Sequence, residues 1–158
     1  MSLRTLRKTM SENYKIISKF IKDISGETPN IETYLYVKDF ISKYQLNIEI
    51  NSKPLKAQII EVNTLLKFHD TSESKKKSHF EMTYTSVIKL NEEIKDKKIL
   101  QKIILCDVQK EIYPELEKAL LIFYIHQGIQ ILNLKKKLIL TNFIANNLIK
   151  KIFLQINF

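Results

Sequence analysis

Glycine is almost missing from this chain: 158 residues hold two glycines, three prolines, one cysteine and no tryptophan. Two glycines leave no material for a glycine-rich loop that cradles phosphates, and they disfavour a fold built from many tight hairpins. The single cysteine, Cys106, excludes an internal disulfide and suits a reducing compartment. No apolar run approaches the roughly 18 residues that a bilayer requires. The first residues, Leu3-Arg4-Thr5-Leu6-Arg7-Lys8-Thr9-Met10, are basic but lack an apolar core and a small-residue cleavage site, so they are not read as a secretory signal. The expected location is cytoplasmic.

Catalytic and metal-binding signals are equally sparse. His69, His79 and His126 have no second His or Cys at ligand spacing, which argues against a zinc site. Cys106 and His126 are in principle a nucleophile and a base, but no third group or motif supports the pair. A cysteine in an apolar run is read instead as a small buried hydrophobe. No enzyme activity, cofactor or metal is expected.

Acidic residues are the next shortage, 17 against 26 Lys and Arg, for a formal net charge of +9. From Ile129 to Phe158 there are five lysines (135, 136, 137, 150 and 151) and no acid. Such an excess suits phosphate backbones, an anionic membrane surface, or simply a solvated basic face.

The patterning that is present is mainly period two. Residues 44–51 alternate strictly, with Tyr44, Leu46, Ile48 and Ile50 on one face and Gln45, Asn47, Glu49 and Asn51 on the other. Weaker alternation predicts strands over 15–22, anchored by Ile17, Phe20 and Ile24, over 57–68 after the break at Pro54, and over 79–90, with a phase shift near Ser86. His69 to Ser78 is polar and lysine-rich, a loop suited to a hairpin. Glu27 to Lys43 is a turn-rich connection through Thr28-Pro29-Asn30, carrying Tyr34, Tyr36 and Phe40.

After Asn91 the period changes to that of a helix. Ile99, Leu100, Ile103, Ile104 and Val108 fall at helical spacing. Pro114 is placed to open a long helix, Glu115 and Glu117 suit its N-terminal end, and Gly128 terminates it. Leu116, Leu120, Phe123, Tyr124 and Gln127 form its apolar stripe. A C-terminal helix is predicted over 139–153, with Phe143 on its apolar side. The sum is an α+β domain: a four-stranded antiparallel sheet followed by a long helix and a C-terminal helix. Residues 1–14 are expected to be a flexible segment and 15–158 a single domain.

Within this order, three segments resemble one family. Phe20-Ile21-Lys22-Asp23-Ile24-Ser25-Gly26-Glu27-Thr28-Pro29 is similar to the first-strand signature of the SecB protein-export chaperones. Phe80-Glu81-Met82-Thr83-Tyr84-Thr85-Ser86-Val87-Ile88 resembles their fourth strand. Cys106 with Ile112-Tyr113-Pro114 resembles the run into their long helix, and Gly128 with Leu132-Asn133-Leu134 its end. The resemblance covers roughly residues 16–145. There are departures: Asp107 stands where the family has proline, Glu117 where it tends to be basic, His79 where it is aliphatic, and the family is typically acidic.

The resemblance implies a chaperone that binds non-native polypeptides, keeps preproteins unfolded for export and hands them to the SecA motor. Asp23, Glu27 and Glu81 would dock SecA, partly through its zinc-bearing C-terminal segment. Tyr34, Tyr36, Phe40 and Phe143 would line the client groove, and the protein would be a tetramer, a dimer of dimers. Two alternatives stand beside it. One is a SecB-like chaperone of an antitoxin. The other is a basic RNA- or membrane-surface-binding module using Lys135-Lys136-Lys137 and Lys150-Lys151, although no nucleic-acid motif supports it. The carboxylates Asp23, Glu27 and Glu81 also admit a metal or acid/base cluster, or plain solvated charges.

Overall fold

The computed structural model describes residues 13–40, 44–70 and 78–128, with side chains left aside at 38–40, 44–46 and 70. The predicted C-terminal helix over 139–153, Phe143 and all five C-terminal lysines lie outside the described residues.

Alternation produces the sheet. In β3 (Ile59–Asp70), Ile60, Val62, Thr64, Leu66 and Phe68 are buried while the residues between them are half-buried. In β4 (His79–Leu90), Phe80, Met82, Tyr84, Ser86, Ile88 and Leu90 are buried in the same rhythm. With β1 (Tyr14–Glu27) and β2 (Tyr44–Pro54) these form one antiparallel sheet of order β1-β4-β3-β2. The β2–β3 hairpin turns through Ala57 and Gln58, both at positive φ (53° and 63°). Two successive left-handed residues are what a tight hairpin of this hand needs; here it is made without glycine, at a steric cost of about 1–2 kcal/mol per residue.

Three expectations are corrected. The first strand is longer than 15–22, and Ile17, Phe20 and Ile24 do not anchor it: they are 48%, 46% and 43% exposed. The physical reason is a pair of bulges, between Ile16 and Ser18 and between Ile21 and Asp23, in a strand at the sheet edge. Tyr14 is the buried end of β1, and its hydroxyl donates to Glu111 Oε2 at 2.9 Å. The 27–43 connection is not all turn: it contains α1 (Ile31–Phe40). Asn30 caps α1, its Oδ1 accepting from the Thr33 N–H at 2.8 Å, and Thr33 and Val37 are buried.

Pro114, finally, does not open the long helix but sits inside it. Helical structure begins at α2 (Lys97–Lys102), capped by Asp96, passes through a π-helical turn (Ile103–Asp107) and continues as α3 (Val108–His126). Proline inside a helix costs about 3 kcal/mol. Burial of Val108, Gln109 and Ile112 before it, and Leu116, Leu120, Phe123 and Tyr124 after it, outweighs that on one continuous face. Gly128 ends the helix as expected, at φ +76°, with its N–H donating to the Ile125 carbonyl. The stripe packs on the even-numbered face of β3 and β4, where Phe68 and Phe80 meet Tyr124 and Phe80 meets Phe123. Cys106 is buried in this core, and burial, then Asp107, pushes its thiol pKa up.

Candidate functional site: the open face of the sheet

Helix α3 covers one face of the sheet and leaves the other open among the described residues. Cross-strand partners share a face. Glu27 pairs with His79 and His79 with His69; Ser25 pairs with Glu81 and Glu81 with Lys67; Asp23 pairs with Thr83 and Thr83 with Leu65. These are the positions between the buried residues of β3 and β4, so Asp23, Glu27 and Glu81 all stand on the open face. Along the strands they span about 13 Å, and β1 and β4 are about 5 Å apart.

The bulge at Lys22 is what brings this about. In a regular strand Phe20 and Asp23, three residues apart, point to opposite faces. The extra residue shifts the phase, so Phe20, paired with Thr85, and Asp23, paired with Thr83, share the open face. The bulged Lys22 does not neutralise Asp23, because its Nζ donates to Glu61 Oε1 at 2.6 Å. That lysine, and then Asn63, hold the Glu61 carboxyl below its usual pKa. Asp23 and Glu27 have no ion pair among the described residues. Glu81 meets His79 Nε2 at 3.0 Å, while Lys67 turns to Glu49 at 3.5 Å. Beside Asp23 lies a shallow hollow of about 220 Å³ lined by Lys22, Asn51, Asn63, Leu65 and Thr83. The open face therefore offers flat polar surface with exposed carboxylates at one end, suited to a cationic protein segment and not to enclosing a small substrate. Among the described residues no His, Cys, Asp and Glu are gathered to hold a metal ion. Cys106 and His126 lie twenty residues apart on the helical run, about 30 Å at helical rise, too far to act together.

The proposed groove residues fare differently. Tyr34 is half-buried, and its hydroxyl donates to the Gly128 carbonyl at 2.9 Å, so it ties α1 to the end of α3. Tyr36 is half-buried on α1; Phe40 ends that helix, its side chain outside the described residues, as is Phe143. The sequence reading missed four exposed apolar residues at this end of the molecule: Ile31 and Leu35 on α1, 62% and 51% exposed, and Ile122 and Ile125 on α3, 46% and 59%. Helical spacing of Ile31 and Leu35 was the available signal, hidden while the segment was taken as turn.

Comparison with known proteins defines the class. Residues 7–137 match the family described as Preprotein translocase subunit SecB. A protein-export protein SecB assigned in Pelagibacter ubique (strain HTCC1062) is 55% identical over 129 residues, covering 82% of this chain and 92% of that protein. The SecB-like chaperone of Mycobacterium tuberculosis, solved in complex with a ChAD peptide from the HigA1 antitoxin, superposes with a TM-score of 0.56. At 8% identity, covering 77% of this chain and 86% of that one, it shares the fold. The chain belongs to the SecB family. Its function is that of a protein-export chaperone.

Proposed function

We propose that this chain binds non-native preproteins in the cytoplasm, without catalysis or cofactor, and presents them to a SecA-type motor through the open face. The observation that carries this is the placement of Asp23, Glu27 and Glu81 on one flat face while the apolar residues Ile31, Leu35, Ile122 and Ile125 lie exposed elsewhere, on the helices. Exposed apolar side chains bind unfolded chains without reading sequence. The carboxylates, in a chain of net charge +9, give a local and salt-sensitive contact for a basic motor segment. Tyr34 and Tyr36, half-buried on α1, together with Phe40 and Phe143, are the aromatic residues proposed to bind clients.

The exposed apolar side chains Ile17, Phe20, Ile21 and Ile24 along edge strand β1 support self-association, with a tetramer as the proposed assembly. The 55% identity to an export protein favours export clients over an antitoxin. Two measurements test the proposal. Purified protein is expected to suppress aggregation of an unfolded preprotein without nucleotide; a folded protein that leaves aggregation unchanged refutes it. Asp23→Lys, Glu27→Lys and Glu81→Lys together are expected to weaken SecA binding at least tenfold with client holding intact. Undiminished SecA binding would remove the docking assignment alone.

A further inference from the structure

The open face is electrically bipolar, and its second pole has no partner in the reading above. Taken row by row across the strands, the end holding Asp23, Glu27, Glu49 and Glu81 has one lysine, Lys67, for a net charge of −3 with histidines neutral. The opposite end holds Lys15, Lys53 and Lys89; its one acid, Glu61, is neutralised by the Nζ of Lys22, which is bulged beside Asp23, so this end carries a net charge of +3. Lys15 and Lys89 are direct cross-strand partners, with Ile59 the next residue in their row. Like charges set opposite each other across two strands destabilise a sheet. Both are exposed, and neither has an ion pair among the described residues, although Glu92 and Glu93 follow the end of β4. Lys53 is exposed one row away, across from Glu61, whose charge Lys22 already occupies.

We infer that the Lys15–Lys89 end of the open face is a second docking site, taking an acidic segment of a partner polypeptide. Eight residues of β4 separate Lys89 from Glu81, about 26 Å at strand rise, so the two poles lie several screening lengths apart and act as separate stations. The geometry selects against long polyanions. A nucleic acid running along the strands, or a flat anionic membrane laid on the face, meets the carboxylate pole as well as the lysines. A short acidic stretch reaches only the lysine pole. A partner carrying a basic stretch and an acidic one fits both poles and is thereby oriented on the sheet.

The test uses the full-length protein and a fluorescent peptide rich in aspartate and glutamate, titrated by anisotropy at about 0.15 M salt, where the two poles are screened from each other. Binding that falls about fivefold or more in Lys15→Glu/Lys89→Glu, and less in Lys15→Gln/Lys89→Gln, is expected, the order of effect for a few exposed charge pairs. Circular dichroism establishes that each variant is folded. The Asp23→Lys/Glu27→Lys/Glu81→Lys variant should bind the acidic peptide at least as well as the wild type, so loss of SecA docking and loss of this site are read separately. Equal peptide binding by the wild type and both Lys15/Lys89 variants overturns the inference. So does Lys15/Lys89-dependent binding of single-stranded RNA or phosphatidylglycerol vesicles that exceeds binding of the peptide.

Discussion

Gln109 is the buried polar hinge of this fold, and replacing it should be costly. It is fully buried at the start of α3. The π-helical turn before it delivers the Val108 N–H to the carbonyl of Ile103 rather than to that of Ile104. Gln109 Nε2 donates to the Ile104 carbonyl at 3.2 Å, and its Oε1 accepts from Thr64 Oγ1 on β3 at 2.9 Å. One amide thus closes the irregular turn and joins helix to sheet. Gln109→Leu keeps the volume but strands the Thr64 hydroxyl in the core and removes a donor from Ile104. At about 1–3 kcal/mol for each buried group deprived of its partner, the loss is about 3 kcal/mol. For a domain of this size that is roughly 6–12 °C in Tm. Urea denaturation at one fixed protein concentration measures it, since association contributes to apparent stability. Adding Thr64→Val to Gln109→Leu removes the stranded hydroxyl and should recover about 1 kcal/mol. Gln109→Leu within about 0.5 kcal/mol of the wild type, or no recovery in the double variant, would refute the reasoning.

Four further outcomes follow from particular contacts. The Tyr124 hydroxyl is buried with no hydrogen-bond partner among the described residues, and burial drives its pKa upward; Tyr124→Phe should therefore be neutral or stabilising by up to about 1 kcal/mol in thermal unfolding. Gly128→Ala should cost about 1–2 kcal/mol for the left-handed conformation, and more because its Cβ would lie 2.9 Å from the Tyr34 ring; Tyr34→Phe, losing one hydrogen bond, should cost about 1 kcal/mol on the same scale. Burial, then the hydrogen bond to Glu115, pushes the Tyr84 pKa up to about 12, against about 10 unfolded. Its folded pKa is raised, so this stabilisation is complete below the unfolded value and disappears as pH rises from about 10 to 12. Denaturation curves across that window should show the loss, and Tyr84→Phe should flatten it.

Much of the framework was readable from residue order. The strand at 44–51 and the alternation through Phe80, Met82 and Tyr84 were readable because a sheet covered on one side by a helix selects side chains at period two. The phase shift expected near Ser86 is absent, since β4 stays in register with β3 and Ser86, Ile88 and Leu90 keep to the buried face while Val87 does not. The stripe Leu116, Leu120, Phe123 and Tyr124 was readable for the corresponding reason at helical period. The helix within 27–43 was not, since Thr28-Pro29-Asn30 is turn chemistry and the cap at Asn30 is equally a turn signal. The start of α3 was misplaced because proline is a reliable opener only where packing does not demand a longer helix.

The site divides in the same way. Which residues are charged, and the family signature they belong to, were present in Phe20–Pro29 and Phe80–Ile88 before any coordinates. What the sequence by itself determined is the list of strands, the long helix and the acidic residues in a basic chain, because local periodicity and composition need no third dimension. Only the tertiary structure decided which of those charges share a surface. A bulge at Lys22 reverses the phase of β1, and the order β1-β4-β3-β2 sets Glu27 beside His79 and Lys15 beside Lys89. Register is a property of paired strands, fixed by the core they bury together, and no single strand carries it alone.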